Sequence, residues 1–181
     1  MRGLQKDKDL ELVLTAVAFA ATKHRDQRRK DAEASPYINH PIALADVLWH
    51  EGEVRDPAVI AAALLHDTIE DTQTTKAELR WVFGVKVAGI VVEVTDDKRL
   101  PKERRKELQI EHAAKLSDGA KLVKLADEIC NLRDVLEAPP KDWSVKRKRE
   151  YFEWANKVID QVRGANQKLE RRFDQLYRER P

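Results

Sequence analysis

From Ala58 to Leu65 the chain reads Ala-Val-Ile-Ala-Ala-Ala-Leu-Leu, without one polar side chain, and then runs straight into His66-Asp67-Thr68-Ile69-Glu70-Asp71. A helix that is apolar on every side has no face for water, so it belongs at the centre of a bundle with other helices packed around it. Four ionisable groups sit at its exit. Charge at the edge of a core is costly unless it is paired or bound to a metal. On a continuous helix His66 and Glu70 share a face, as do Asp67 and Asp71, because each pair is four apart. One nitrogen ligand and three carboxylates then share one mouth. A capped surface helix end, with Asp71 or Thr72 in a turn, has the same local sequence, and this stretch alone does not choose.

The flanking sequence is patterned for more helices. Leu12, Ala16, Phe19 and Ala20 predict an amphipathic helix over about 8–24. Pro41 opens a second, reaching about Glu51, with Asn39 or His40 at its start. Thr75-Lys76-Ala77-Glu78 reads as a capping box for a short helix that Gly84 ends. Residues 85–94 are β-branched, but Val87, Ile90, Val91 and Val94 keep helical spacing and no other segment offers a strand partner, so this too is a predicted helix. Pro101 opens a charged helix to about Leu116, and Ser117-Asp118-Gly119 breaks it. Residues 120–136 follow, with Asp127, Asn131 and Asp134 as a polar stripe and Arg133 placed to pair with Glu137. After Pro139-Pro140 one long helix is predicted from about Ser144 towards Arg178, with frayed residues 178–181 behind it. The expected architecture is all-α: a single domain over 1–181, its core from about 8 to 175, built round a central buried helix.

Composition narrows the function. Charged residues are 36% and apolar residues 42%, too apolar for disorder. A net charge of +2 is no footprint for bulk DNA or RNA binding. The basic run 23–31 is either a solvated loop or, through Arg29 and Lys30, a contact for phosphate or a base. The single cysteine, Cys130, excludes an internal disulfide and fits a reducing compartment. No apolar run approaches the roughly 20 residues needed to span a bilayer, and the first residues lack a secretory apolar core. A cytoplasmic protein is expected.

Three separated segments offer metal-type ligands: His40, His66-Asp67 and Asp127. Each lies on, or at the end of, a helix with an apolar face, so all can reach one core. Two imidazoles and two carboxylates suit Mn, Fe or Zn better than calcium. Taken singly, His40 reads as a helix cap and Asp127 as a paired core residue.

The pattern His…His-Asp…Asp resembles that of the HD-domain metal-dependent phosphohydrolases. More narrowly, Tyr37-Ile-Asn-His40-Pro, Ala-Leu-Leu-His66-Asp-Thr-Ile-Glu-Asp71, Val94-Thr-Asp-Asp-Lys98 and Lys124-Leu-Ala-Asp127-Glu-Ile-Cys-Asn131-Leu-Arg133 resemble the hydrolase domain of the Rel/SpoT alarmone enzymes, above all the stand-alone small alarmone hydrolases. The resemblance covers roughly residues 10–175, and no synthetase domain is expected. It implies an all-helical HD-type bundle and one Mn²⁺ per chain on His40, His66, Asp67 and Asp127, with other divalent transition metals as substitutes. The implied reaction removes the 3′-pyrophosphate of ppGpp or pppGpp. Glu70 and Asp71 would orient the attacking water and move its proton, their proximity raising one pKa. Arg29 and Lys30 match the family's basic pair, with Arg29 stacked on the purine. Tyr37, Asn131, Tyr151 and Lys98 are further substrate-binding candidates, although core packing also explains Tyr151. Glu128 stands where relatives often carry Lys or Arg; pointing inward, it would weaken attraction for a polyanion. A small nucleotide is the expected partner, with no membrane or nucleic acid, and a homo-oligomer is left open. The alternatives are a phosphatase on another phosphorylated nucleotide such as NADPH, or an antitoxin neutralising an alarmone-synthesising partner.

Overall fold

The computed structural model describes residues 2–31 and 33–181. Its described residues form helices joined by turns and loops, with one isolated antiparallel bridge, Arg28 to Pro36, in the basic loop. The helices are α1 (Arg2–Lys23), α2 (Asn39–Asp46), α3 (Pro57–Leu65), α4 (Thr68–Asp71), α5 (Lys76–Val94), α6 (Lys102–Ala113), α7 (Asp118–Glu137), α8 (Val145–Asp160) and α9 (Gln167–Arg178). Among the described residues no helix is long and apolar enough to cross a membrane.

The central helix is α3. Asp56 caps it, accepting from the Ala58 amide at 3.0 Å, and Pro57 takes the first-turn position that has no use for an N–H. All eight residues from Ala58 to Leu65 are buried, enclosed by α1, α2, α5 and α7. The three consecutive alanines let those neighbours approach closely. The predicted β-branched helix over 85–94 is present.

Several local expectations are corrected. The first helix begins at Arg2, before the apolar periodicity does. The second helix loosens into a π-helical turn over Val47–Glu51. Gly84, by contrast, interrupts α5 as expected: its φ 82°, ψ 174° is non-helical and disfavoured for a side chain, so 76–94 is two helical stretches that meet at a kink. The predicted long last helix is two. Residues 161–166 turn between them, Gly164 adopts φ 93°, and Asn166 caps α9 while also donating to the Gly52 carbonyl at 2.8 Å. This break lets Leu169, Phe173 and Leu176 fold back to cover α7. The tail is tied down: Arg149 Nε donates to the Pro181 carbonyl at 2.5 Å, and the Arg180 guanidinium lies 4.4 Å from the Tyr177 ring centre. Arg133 turns from Glu137 to Glu51, gripping both carboxylate oxygens at 2.7 Å, and Arg172 of α9 reaches the same carboxylate at 3.2 Å.

Candidate active site

The helix expected to continue past Leu65 stops there. His66 and Asp67 form a turn, Asp67 sits at φ −97°, ψ 0°, and α4 starts afresh at Thr68. The break is held locally: Thr68 Oγ1 donates to the Leu65 carbonyl at 2.7 Å. It turns His66 and Asp67 together towards α2 and α7.

There the three segments meet. Ligand atoms of His40, His66 and Asp67 all lie within 4.8 Å of one another. Asp127 completes the ring from α7, its Oδ1 standing 3.2 Å from His40 Nε2 and 4.0 Å from His66 Nε2. Asn131, one turn on, donates to Asp127 Oδ1 at 2.8 Å, and the Tyr37 hydroxyl donates to Asp67. His40 is therefore a buried member of the cluster and not a helix cap.

The chemistry of this set fits a cation. His66 Nδ1 lies 2.8 Å from the Ala63 carbonyl, which can only accept, so Nδ1 carries the proton. Nε2 then presents a lone pair, buried and without a hydrogen-bond partner, 2.9 Å from Asp67 Oδ2. A lone pair facing a carboxylate at that distance is repulsive unless a positive charge lies between them. In the metal-free protein a proton fills that role. Burial disfavours charged His66, but Asp67 and Asp127 outweigh it and lift its pKa to about 9. Burial likewise raises the carboxyl of Asp67, yet His66, His40 and Tyr37 hold it well below the ordinary range. For Asp127, burial is outweighed by His40, Lys124 and His66, leaving it at about 2.

Glu70 and Asp71 part company. Glu70 faces the metal cluster, with Oε2 accepting from the Asp96 amide at 3.0 Å and Oε1 standing 3.6 Å from Arg105. Its pKa is raised to about 7. Burial is the main cause; Asp67, Asp96 and Asp71 add to it, so the expected effect of the pair's proximity is present but secondary. Asp71 pairs with Lys98 and lines the neighbouring cavity. Its carbonyl accepts from Gln27 Nε2 at 2.6 Å, and Gln27 is in turn held by buried His24.

Two cavities adjoin. The inner one, about 250 Å³, holds the cluster and Glu70, with Lys102, Arg105, Lys106 and Lys124 among its walls. The outer one, about 360 Å³, is lined by Arg28, Arg29, Lys30, Asp71, Asp134 and Trp143, among others. Arg29, Tyr37, Asn131 and Tyr151 belong to both. Arg29 is steered by an ion pair to Asp134 and lies 5.8 Å from the Tyr37 ring centre. Of the substrate-binding candidates, only Lys98 is drawn off, onto Asp71 and to 3.9 Å from Glu70. Sequence reasoning missed the inner cations and Trp143. Lys124, three before Asp127 on the same helix, carried a legible signal; the α6 cations, in a charge-rich helix, did not. Glu128 points inward and is 1% exposed, which answers the question its sequence position raised.

The HD-domain family model matches residues 16–153. The chain is 56% identical over 169 residues to "Guanosine-3′,5′-bis(diphosphate) 3′-pyrophosphohydrolase MESH1" of Danio rerio, covering 93% of this chain and 94% of that one. It is 54% identical over 168 residues to the protein of the same name from Homo sapiens, with the same shares covered. Among solved structures, a metazoan orthologue of SpoT described as hydrolysing ppGpp superposes with a TM-score of 0.90 at 47% identity, covering 93% of this chain and 95% of that one. A cluster able to hold a metal at a broken central helix, beside a half-buried acid and a cationic cavity, thus occurs here in a chain that belongs to the HD-domain family and, within it, to the MESH1-type hydrolases.

Proposed function

We propose that the protein is a Mn²⁺-dependent 3′-pyrophosphohydrolase of guanosine alarmones, converting ppGpp and pppGpp to GDP and GTP with release of pyrophosphate. The observation that carries this is the convergence of His66 Nε2 with Asp67, His40 and Asp127, with Glu70 a short way off in the same cavity. His40, His66, Asp67 and Asp127 would hold the cation, which would supply Lewis-acid chemistry, a lowered pKa for a water and polarisation of a phosphoryl oxygen.

The chain's own groups do the rest. Glu70, with a pKa near neutrality, holds or passes a proton at Oε1 while Oε2 stays fixed on the Asp96 amide. Asp71 keeps Lys98 at the rim between the two acids. Lys102, Arg105 and Lys106 supply cationic donors for the departing pyrophosphate. The outer cavity takes the nucleoside: Arg29 offers its guanidinium plane to the purine, and Trp143, Tyr37 and Tyr151 offer ring surface. Lys30 lines the same space and meets the 5′ phosphates.

Purified protein given ppGpp and Mn²⁺ should release one pyrophosphate per GDP formed. NADPH under the same conditions should release orthophosphate more slowly by kcat/KM. Failure to cleave ppGpp, with NADPH turned over, overturns the assignment of substrate.

A further inference from the structure

Glu128 takes no part in the chemistry of the four ligand side chains and Glu70. It lies one residue past Asp127, 1% exposed, on the wall of the inner cavity. A buried carboxyl requires partners. Among the described residues its hydrogen-bond partner is the Tyr151 hydroxyl, which donates to Glu128 Oε2 at 3.0 Å. Tyr151 is the middle ring of three, with centroids 5.5 Å from Trp143 and 5.4 Å from Trp154. Trp143 lines the outer cavity, Trp154 the inner one and Tyr151 both. A phenol has one proton to donate, and here Glu128 takes it. What Tyr151 shows to the cavities is therefore ring surface and not a donor.

We propose that Glu128 is a positioning residue: by accepting the Tyr151 proton it fixes that ring as the partition between the nucleoside and phosphate cavities, and it sets nucleotide affinity without touching the nucleotide. The proposal rests on reading the cavity pair as a nucleotide site.

The test measures the Kd of GDP by calorimetry on metal-free protein, and kcat and KM for ppGpp on Mn²⁺-loaded protein. Glu128→Gln keeps an acceptor in the same place; Glu128→Leu removes it. The Gln variant should stay within about twofold of the parent in Kd and KM. Glu128→Leu and Tyr151→Phe should each weaken both by about five- to tenfold, the effect of one lost hydrogen bond, while kcat changes less than about threefold. The double variant should be no weaker than the weaker single, because both remove the same bond. Multiplicative losses in the double, a Gln variant as damaged as the Leu variant, or unchanged GDP affinity in Glu128→Leu would overturn the proposal. Should the Leu variant not fold, Glu128→Gln in the Tyr151→Phe background decides: it should match Tyr151→Phe alone, and a further loss refutes. A parent that cleaves no ppGpp but shows the GDP pattern sinks the substrate assignment and leaves Glu128 in place; an active parent without the pattern does the reverse. A parent that binds no GDP overturns both.

Discussion

Raising the pH of metal-free protein from 6.5 to 9 should drain its stability, and a bound divalent cation should abolish that dependence. The folded His66 has a pKa of about 9 against 6.5 for the free side chain. Between those values the folded chain binds more protons than the unfolded one, so stability falls as pH rises. The contribution is complete below 6.5 and gone above about 9, with a ceiling of about 3 kcal/mol at 1.36 kcal/mol per pKa unit. Glu70 and Glu128, raised to about 7 and about 8, act with the same sign but over lower pH. A cation needs the bare His66 Nε2, so binding expels the proton and apparent affinity climbs about tenfold per pH unit below 9. Urea denaturation at intervals across this range, with and without Mn²⁺, reads the stability term. Calorimetric titration of Mn²⁺ in two buffers of different ionisation heat counts the protons. His66→Asn should flatten the upper part of the slope. A metal-free protein of constant stability over this range, or cation binding that releases no proton, would refute the reasoning.

Glu70→Gln should lower kcat for ppGpp by about 10²–10⁴-fold, the usual worth of a general acid or base, with Mn²⁺ content by mass spectrometry unchanged. Arg133→Ala removes a two-pronged grip on Glu51; it should cost about 1–2 kcal/mol by denaturant midpoint and leave kcat within about twofold. Phe173→Ala, deleting a fully buried ring of α9, should cost about 3–5 kcal/mol, seen as a lower melting temperature.

The central helix was legible because burial on every side writes itself as an unbroken apolar run, and Asp56-Pro57 marks where it starts. The cluster of His40, His66, Asp67 and Asp127 was legible because each ligand lies beside an apolar helix stretch. The turn at His66-Asp67 was not: nothing in the residue types forbids continued helix, and the interruption comes from Thr68 bonding back to Leu65 and from neighbours in space. The split of the last helix had a local sign in Gly164-Ala165-Asn166, but α8 and α9 both carry strong amphipathic patterns that run together across it. The pairing of Arg133 with Glu51 joins residues 82 apart and depends on how α7 lies against the π-helical turn. Glu70 owes its raised pKa first to burial, which follows from the placing of α4 and not from its neighbour in sequence.

The return of α9 onto α7 reaches further than packing. Leu169, Phe173 and Leu176 brace the helix that delivers Asp127, and Asn166 ties the start of the brace to Gly52. Peeling the C-terminal segment away would loosen one wall of the metal cluster. A protease cutting near Arg163 or Lys168 would then act as a gauge of occupancy, slow on the loaded protein and quick on the stripped one, although its scissile bonds lie nowhere near the ion.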